Sequence, residues 1–206
     1  MAAEQHELIP SLTGVYGTSG LYLRGSPTAP RELSGNMVHR MCSAGLDAGR
    51  LVGDFGAVPT QLPFADDSFS LCYVLHVFES IQDRETLARE LCRVLQPEGT
   101  LIVVALNPVS AWCLRWYGRG PEPVAAGRMV RTLEGASLSV VRQRPVGPAW
   151  PTWATVQRRV GRDGGVDLLG AVRAGYAVFA RKRRVAMTPL PSPRAVPALS
   201  PHARAG

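Results

Sequence analysis

The stretch that decides the fold is LPFADDSFSLCYVLHVFESIQDRETLARELCRVLQPEGTLIVVALNP, residues 62–108. Ser70–Val77 is a short apolar run rich in β-forming residues, and Leu101–Leu106 is a second run that is almost wholly apolar. Between these runs, apolar residues recur at helical spacing, at Leu87, Leu91, Val94 and Leu95. The pattern predicts a strand, a helix and a strand. Strands that are apolar on both faces indicate a parallel sheet covered by helices, and the span suits one right-handed βαβ unit.

Two local signals bound the predicted helix. Asp83 precedes it, and an aspartate carboxylate at this position accepts an amide of the first turn and carries a charge that suits the positive helix end. The helix is expected to end at Gln96-Pro97-Glu98-Gly99, because proline has no amide to donate and glycine tolerates turn dihedrals.

Three pieces of this stretch resemble the second half of a class I S-adenosylmethionine (SAM)-dependent methyltransferase, closest to the small-molecule branch that includes quinone-biosynthesis enzymes and the type 11 domain. They are LPF-x-DDSF from Leu62, L-H-x-x-E from Leu75 and R-E-L-x-R-V-L-x-P-x-G from Arg89. The similarity is closest over about residues 50–110 and looser to about residue 184. It implies an α/β fold: a doubly wound, Rossmann-like sheet, mostly parallel with one antiparallel strand.

The remaining strands follow from shorter patterns and from this resemblance. Strands are expected at Leu21–Arg24, Ser34–Ser43, Arg50–Gly53 and Leu138–Arg144, and the final, antiparallel strand at Gly175–Arg181. A small helix is expected to close at Leu133–Gly135.

The chain is expected to form one methyltransferase-like domain over residues 1–186. Its first 13 residues suggest a loose start. Residues 187–206 repeat proline every few positions among small side chains, so they cannot form a core, and a disordered tail is predicted there.

Charge is distributed unevenly along the 206 residues, whose net charge is +7. Residues 1–107 hold 7 arginines and 12 acidic residues (−5), whereas residues 108–206 hold 15 arginines, one lysine and 4 acidic residues (+12). A strongly basic half is typical of proteins that bind nucleic acid or another acidic partner. We favour compositional bias instead, because arginine, alanine, glycine and proline abound throughout, and nucleic-acid binding is not expected.

Composition also bears on location. No run approaches the about 20 apolar residues of a membrane span, and the start MAAEQHELIP has neither the basic residues nor the apolar run of a secretory signal. The four cysteines show no C-x-x-C pairing and suggest reduced residues, Cys72 and Cys92 in the core, rather than a metal site. A cytoplasmic protein without a bound metal is expected.

The resemblance assigns part of a SAM site. It implies that Asp54 accepts from the adenine amine and that Phe55 is its hydrophobic neighbour. Leu75 and His76, at the end of the next strand, are expected to line the same site. The carboxylate that the family uses for the ribose has no candidate, because no acidic residue occurs in residues 33–46.

The glycine-rich loop that the family places after its first strand is altered in this chain. The segment is LYLRGSPTAPREL, residues 21–33, with two prolines. Only Gly25 permits the close backbone approach that the SAM amino acid needs. Arg24 or Arg31 is expected to replace the lost amides by pairing with the SAM carboxylate through a fork of N–H groups.

Polar groups are expected to converge where the parallel strands end, since ligands of such sheets bind at their carboxyl edge. They are Asp54, His76 with Glu79, and Asn107. His76 could act as a base, although a structural histidine is the commoner case. The others could be turn formers or solvated groups. The acidic run at Asp66–Ser68 is expected to be a solvated loop rather than a metal cluster.

The sequence thus favours a divergent SAM-dependent methyltransferase that acts on a small molecule. The altered loop and the missing ribose acid leave a second hypothesis, a non-catalytic methyltransferase-like protein that binds a protein partner. A third hypothesis is a basic adaptor for nucleic acid or an anionic membrane. A hydrolase, a zinc protease or an NTPase is not indicated, because the sequence contains no G-x-S-x-G, H-E-x-x-H or Walker motif.

Overall fold

A computed structural model describes residues 2–111, 113, 121–148 and 173–183. The helices are α1 (Ala2–Leu12), α2 (Arg84–Val94) and α3 (Ala126–Gly135), and Phe78–Ser80 forms one 3₁₀ turn. The strands are β1 (Tyr16–Arg24), β2 (Met37–Asp47), β3 (Arg50–Gly53), β4 (Phe69–Leu75), β5 (Leu95–Leu106), β6 (Leu138–Val146) and β7 (Gly175–Lys182). The predicted tail at 187–206 lies outside the described residues.

All seven strands join one sheet in the order β3-β2-β1-β4-β5-β7-β6. The strand pairs β1–β2, β1–β4 and β4–β5 are parallel, and β7 runs antiparallel to both β5 and β6. The strand order reverses direction next to β1, with β2 on one side and β4 on the other, which is the doubly wound arrangement. The predicted α/β methyltransferase fold is therefore confirmed.

The sheet has a second antiparallel strand, β3, in addition to the predicted one. Only Ala48 and Gly49 separate β2 from β3, and both have positive φ angles, 45° and 81°. A two-residue connection cannot cross to a parallel neighbour, whereas positive φ at both positions suits a tight hairpin. β3 therefore folds back along β2 at the edge of the sheet.

The β4–α2–β5 unit matches its prediction closely. The Asp83 carboxylate accepts the Thr86 amide at 3.0 Å, as expected of a helix cap. α2 ends at Val94, and β5 starts at the next residue, where Leu95 pairs with Phe69. The segment 96–99, which was expected to end the helix, therefore lies within the strand, and β5 begins six residues before the apolar run at 101–106.

Helices cover both faces of the sheet. On one face α2 and α3 pack their apolar residues, including Leu87, Leu91 and Leu133, against the strands. On the other face Leu8 and Leu12 of α1 are fully buried. The expected loose start is therefore wrong for residues 2–12. Pro10 inside α1 weakens the helical signal in the sequence, but burial of the apolar side of α1 outweighs that local effect.

Helix α1 is anchored mainly to residues near the far end of the described chain. The Glu7 carboxylate pairs with Arg173 at 2.9 Å, and its backbone carbonyl accepts from Arg144 at 2.7 Å. None of the helices described here is long and apolar enough to cross a membrane.

Candidate functional site

The carboxyl edge of the sheet holds a buried charge cluster centred on His76. The imidazole is 6% exposed; its Nδ1 lies 3.0 Å from Glu79 Oε1 and its Nε2 lies 3.1 Å from Glu4 Oε2. Glu79 Oε1 also accepts the Leu106 amide at 2.6 Å, which ties the cluster to the end of β5. Glu79 Oε2 is buried and has no hydrogen-bond partner in the described part of the chain.

The two carboxylates hold His76 in its charged form. Burial by itself lowers the pKa of His76, but hydrogen bonds and charge from Glu4 and Glu79 outweigh it and raise that pKa to about 10. Burial likewise raises the pKa of Glu4, while the hydrogen bond and charge of His76 outweigh it and lower that pKa to about 2. Near neutral pH both ring nitrogens therefore carry protons and donate, and neither has a lone pair with which to accept a proton.

The first strand ends in close contact with this cluster. The Gly25 amide donates to Leu75 O at 2.7 Å. A Cβ added to Gly25 would lie 2.0 Å from the His76 carbonyl oxygen, so no other residue fits without displacing the backbone. His76 itself has a φ of +54°, which aims its side chain out of the strand pattern toward α1 and the 3₁₀ turn. Gly25, Leu75 and His76 are thus brought together, as the sequence suggested.

The loop that follows β1 packs against the neighbouring strand, β2. Arg24 is 2% exposed, and its Nη1 donates to the carbonyls of Ala29, at 2.9 Å, and Pro27, at 3.3 Å. A Cβ at Gly45, on β2, would lie 2.9 Å from Pro27 Cα. The Arg24 guanidinium therefore braces the loop in this structure.

Asp54 and Phe55 lie directly after β3. One Asp54 carboxylate oxygen accepts the Ser43 amide at 2.7 Å, while the residue as a whole is exposed. Asp54 borders an open groove of about 390 Å³, and Arg31 lies on the same groove. Phe55 packs edge-on against Phe64 with ring centroids 4.8 Å apart.

The structure adds two acidic residues to the site that the sequence did not assign. β2 extends to Asp47, four residues beyond its expected end, so an exposed carboxylate does stand at the carboxyl end of the second strand. Its position after the apolar pair Ala44 and Leu46 was a usable signal for a longer strand. Glu4, in contrast, is distant in sequence, and only the docking of α1 brings it to His76.

Other polar candidates have structural partners. Asn107 donates to Arg173 O at 3.1 Å and accepts the Val109 amide at 3.2 Å, as in a turn. Asp66 pairs with Arg93 and Asp67 with Lys182, both in the loop before β4 and so at the opposite edge of the sheet. The LPF-x-DDSF and R-E-L-x-R-V-L-x-P-x-G segments are in contact at that edge, because Arg93 of the second donates to Phe64 O of the first at 2.8 Å.

The charge cluster predicts a pH-dependent stability that Glu4→Gln should reduce. The contribution of His76 is complete below its unfolded pKa of about 6.5 and is lost as the pH rises toward 10. That of Glu4 is complete above about 4.5 and is lost as the pH falls toward 2. In urea unfolding, the parent should exceed Glu4→Gln by about 2 kcal/mol or more near pH 6 and by clearly less near pH 9. Equal differences at both pH values would contradict the ion pair.

Comparison with known proteins agrees with this architecture. The sequence profile of a methyltransferase domain matches residues 27–103. The uncharacterized protein YafS of Escherichia coli is 41% identical over 59 residues, which are 29% of this chain and 25% of that protein. Demethylmenaquinone methyltransferase of Corynebacterium glutamicum is 29% identical over 125 residues, 59% of this chain and 51% of that protein. The chain thus spans about half, or less, of the length of these curated relatives.

Solved structures share the fold at low sequence identity. A SAM-dependent methyltransferase from Aquifex aeolicus aligns with a TM-score of 0.57 and 12% identity, over 87% of this chain and 89% of that one. The strand order, the domain match and the demethylmenaquinone methyltransferase relative point the same way, and the methyltransferase domain supports SAM as the cofactor. Residues 27–103 of this chain thus match a methyltransferase domain, and the described architecture has the fold of class I SAM-dependent methyltransferases.

Proposed function

We propose that the protein transfers a methyl group from SAM to a small molecule, in the branch that contains the quinone-biosynthesis methyltransferases. The observation that carries the proposal is the contact between Gly25 and the end of β4 at the carboxyl edge of the sheet, where β2 also ends in the exposed carboxylate of Asp47. Asp54 follows the antiparallel strand β3, so it lies beside Ser43 of β2 and not at that edge, contrary to the convergence expected from the sequence. The similarity to demethylmenaquinone methyltransferase supports an acceptor of the same general kind, a small organic molecule.

The nucleoside part of SAM fits the residues present. In the family, an acid at the end of the second strand takes the ribose hydroxyls and a later acid takes the adenine amine. Asp47 and Asp54 have these positions, and both are exposed. Asp54 uses one oxygen for the Ser43 amide, which leaves a second acceptor oxygen for the adenine amine, and Phe55 supplies an apolar surface beside it.

The amino acid part of SAM needs a change in the loop after β1. Gly25 keeps the close backbone approach, but the loop is held down through Arg24. In our proposal Arg24 exchanges the carbonyls of Pro27 and Ala29 for the SAM carboxylate, or the exposed Arg31 takes that role. Leu75 and His76 form the wall beneath, and His76 acts through its charge and position rather than as a base.

Methyl transfer from SAM requires little further chemistry from the side chains of the protein. SAM carries an already activated methyl group when bound, so the protein mainly aligns the acceptor and excludes water. The burial of Leu75 and His76 beside β1 provides a dry wall for that alignment. The four cysteines are free, in keeping with the cytoplasmic location that we propose.

The proposal is tested by calorimetric titration of the purified chain with SAM and with its demethylated product. Asp54→Ala is expected to weaken SAM binding by about 1–3 kcal/mol, since the adenine amine loses its acceptor. Glu134→Ala is the matched control, because that carboxylate is also exposed but lies at the end of α3. Equal loss in both variants would place the adenine elsewhere.

A second candidate function is a methyltransferase-like protein that binds a protein partner without using SAM. The observation that favours it is the fixed position of the loop after β1. Two prolines restrict the backbone of this loop, and the hydrogen bonds of Arg24 hold it against β2. Absence of heat and of a thermal shift with millimolar SAM, together with a stable complex in pull-down, would favour this candidate over the first.

A further inference from the structure

A groove of about 430 Å³ opens between α2 and the segment formed by α3 and Ala136, and it is lined by residues of both. Its wall contains three arginines: Arg89 of α2, and Arg128 and Arg131 of α3. Glu85 is the one acidic residue among the lining residues, so the groove carries a net charge of about +2 at neutral pH.

The arginines of α3 have no partners in the described part of the chain. The Arg128 and Arg131 guanidinium groups make no hydrogen bond or ion pair with any described residue, and both residues are exposed. Arg89 donates to Thr86 Oγ1 at 2.8 Å and lies near the Asp83 carboxylate, but it forms no close ion pair with a described residue. Elsewhere, arginines such as Arg84, Arg93 and Arg173 pair with glutamates at 2.8–2.9 Å. Within the described residues, the three arginines of the groove thus lack the close glutamate partners that Arg84, Arg93 and Arg173 have.

This arrangement is unfavourable for α3 when nothing is bound. Arg128 and Arg131 are three residues apart on one helix face, where like charges repel. Arg128 lies in the first turn, at the positive end of the helix dipole, and that turn contains no acidic residue and no side-chain cap. A bound anion would remove both costs at once.

We propose that this groove binds the phosphate group of a ligand through Arg89, Arg128 and Arg131. Three guanidinium groups from two helices can each present paired N–H donors to phosphate oxygens, and the side-chain hydroxyl of Thr132 lies on the same wall. None of the residues that line the groove is among those proposed for the SAM site. It does not depend on the proposed methyl transfer.

The first experiment titrates the full chain with inorganic pyrophosphate by calorimetry at low salt, about 0.05 M, where exposed charges are weakly screened. The test variant is Arg128→Gln/Arg131→Gln. The matched control is Arg40→Gln/Arg50→Gln, which removes the same charge from exposed arginines at the β2–β3 side of the sheet. Binding should fall at least about tenfold in the test variant and less than about twofold in the control.

A second arm separates a free phosphate compound from a lipid headgroup. Sedimentation with phosphatidylcholine vesicles is compared with and without about one fifth phosphatidylglycerol. Pyrophosphate binding without vesicle binding supports a free ligand, and charge-dependent vesicle binding that the test variant loses supports a headgroup. Equal losses in test and control variants, or no binding of either probe by the parent, would overturn the proposal. Circular dichroism of each variant confirms that a lost signal is not lost folding.

Discussion

Replacing His76 with leucine is expected to lower the free energy of unfolding by about 3–5 kcal/mol, because two buried carboxylates then lose the cation between them. Glu4 and Glu79 are 3% and 2% exposed, so water cannot take over the role of the imidazolium. Urea unfolding near pH 6, where His76 and Glu4 are both charged, measures the change.

Two further variants separate the charge effect from backbone strain at the positive φ of this residue. His76→Gly accepts that φ without strain, and it should still destabilise the protein by several kcal/mol. Adding Glu4→Gln to His76→Leu removes the negative charge of Glu4 from the buried cluster and should restore part of the stability. If His76→Gly were as stable as the parent, the cluster would contribute little and the strained backbone would be the dominant feature.

Substituting Gly25 with alanine is expected to cost at least about 2–3 kcal/mol, since its Cβ would lie 2.0 Å from the carbonyl oxygen of His76. That contact involves backbone, which cannot turn aside as a flexible side chain would. The same substitution should abolish SAM binding in the proposed site, because β1 and β4 would have to separate at the edge where we propose that SAM binds. Unfolding and calorimetry on the same preparation measure both effects.

Gly56→Ala is the control for this substitution. Gly56 also follows a strand, but a Cβ there would meet nothing within 4 Å, so its stability should stay within about 0.5 kcal/mol of the parent. Should Gly25→Ala be no more harmful than Gly56→Ala, the close approach of the two strands would not be needed for folding.

The central unit could be predicted from sequence because its signals are local. The cap at Asp83, the helical spacing of Leu87 and Leu91 and the apolar run of β5 all act within a few residues, and packing agreed with each of them. The matching motifs near Arg93 likewise predicted the fold, and the structure shows them bracing a loop at the edge opposite the cofactor site.

The rest of the site depends on contacts that sequence periodicity does not encode. Asp47 ends a strand that runs four residues beyond its predicted end: Ala44 and Leu46 hint at this extension, but pairing with β3, which the sequence did not predict, holds it in place. The sequence predicts that Arg24 is available to bind an anion, yet its guanidinium donates to carbonyls of its own loop. Glu4 reaches His76 across 72 residues, which no local pattern indicates.

The position of α1 has a consequence for the order in which the chain is made. This helix is synthesised before every strand of the sheet. The residues that hold or cover it include Arg144, Val146, Arg173 and Phe179, which are among the last described residues to be synthesised. Until β6 and β7 emerge, Leu8 and Leu12 have only part of their final cover. Such long-range closure is slow, and until then the nascent chain presents the apolar side of the helix to chaperones or to other chains.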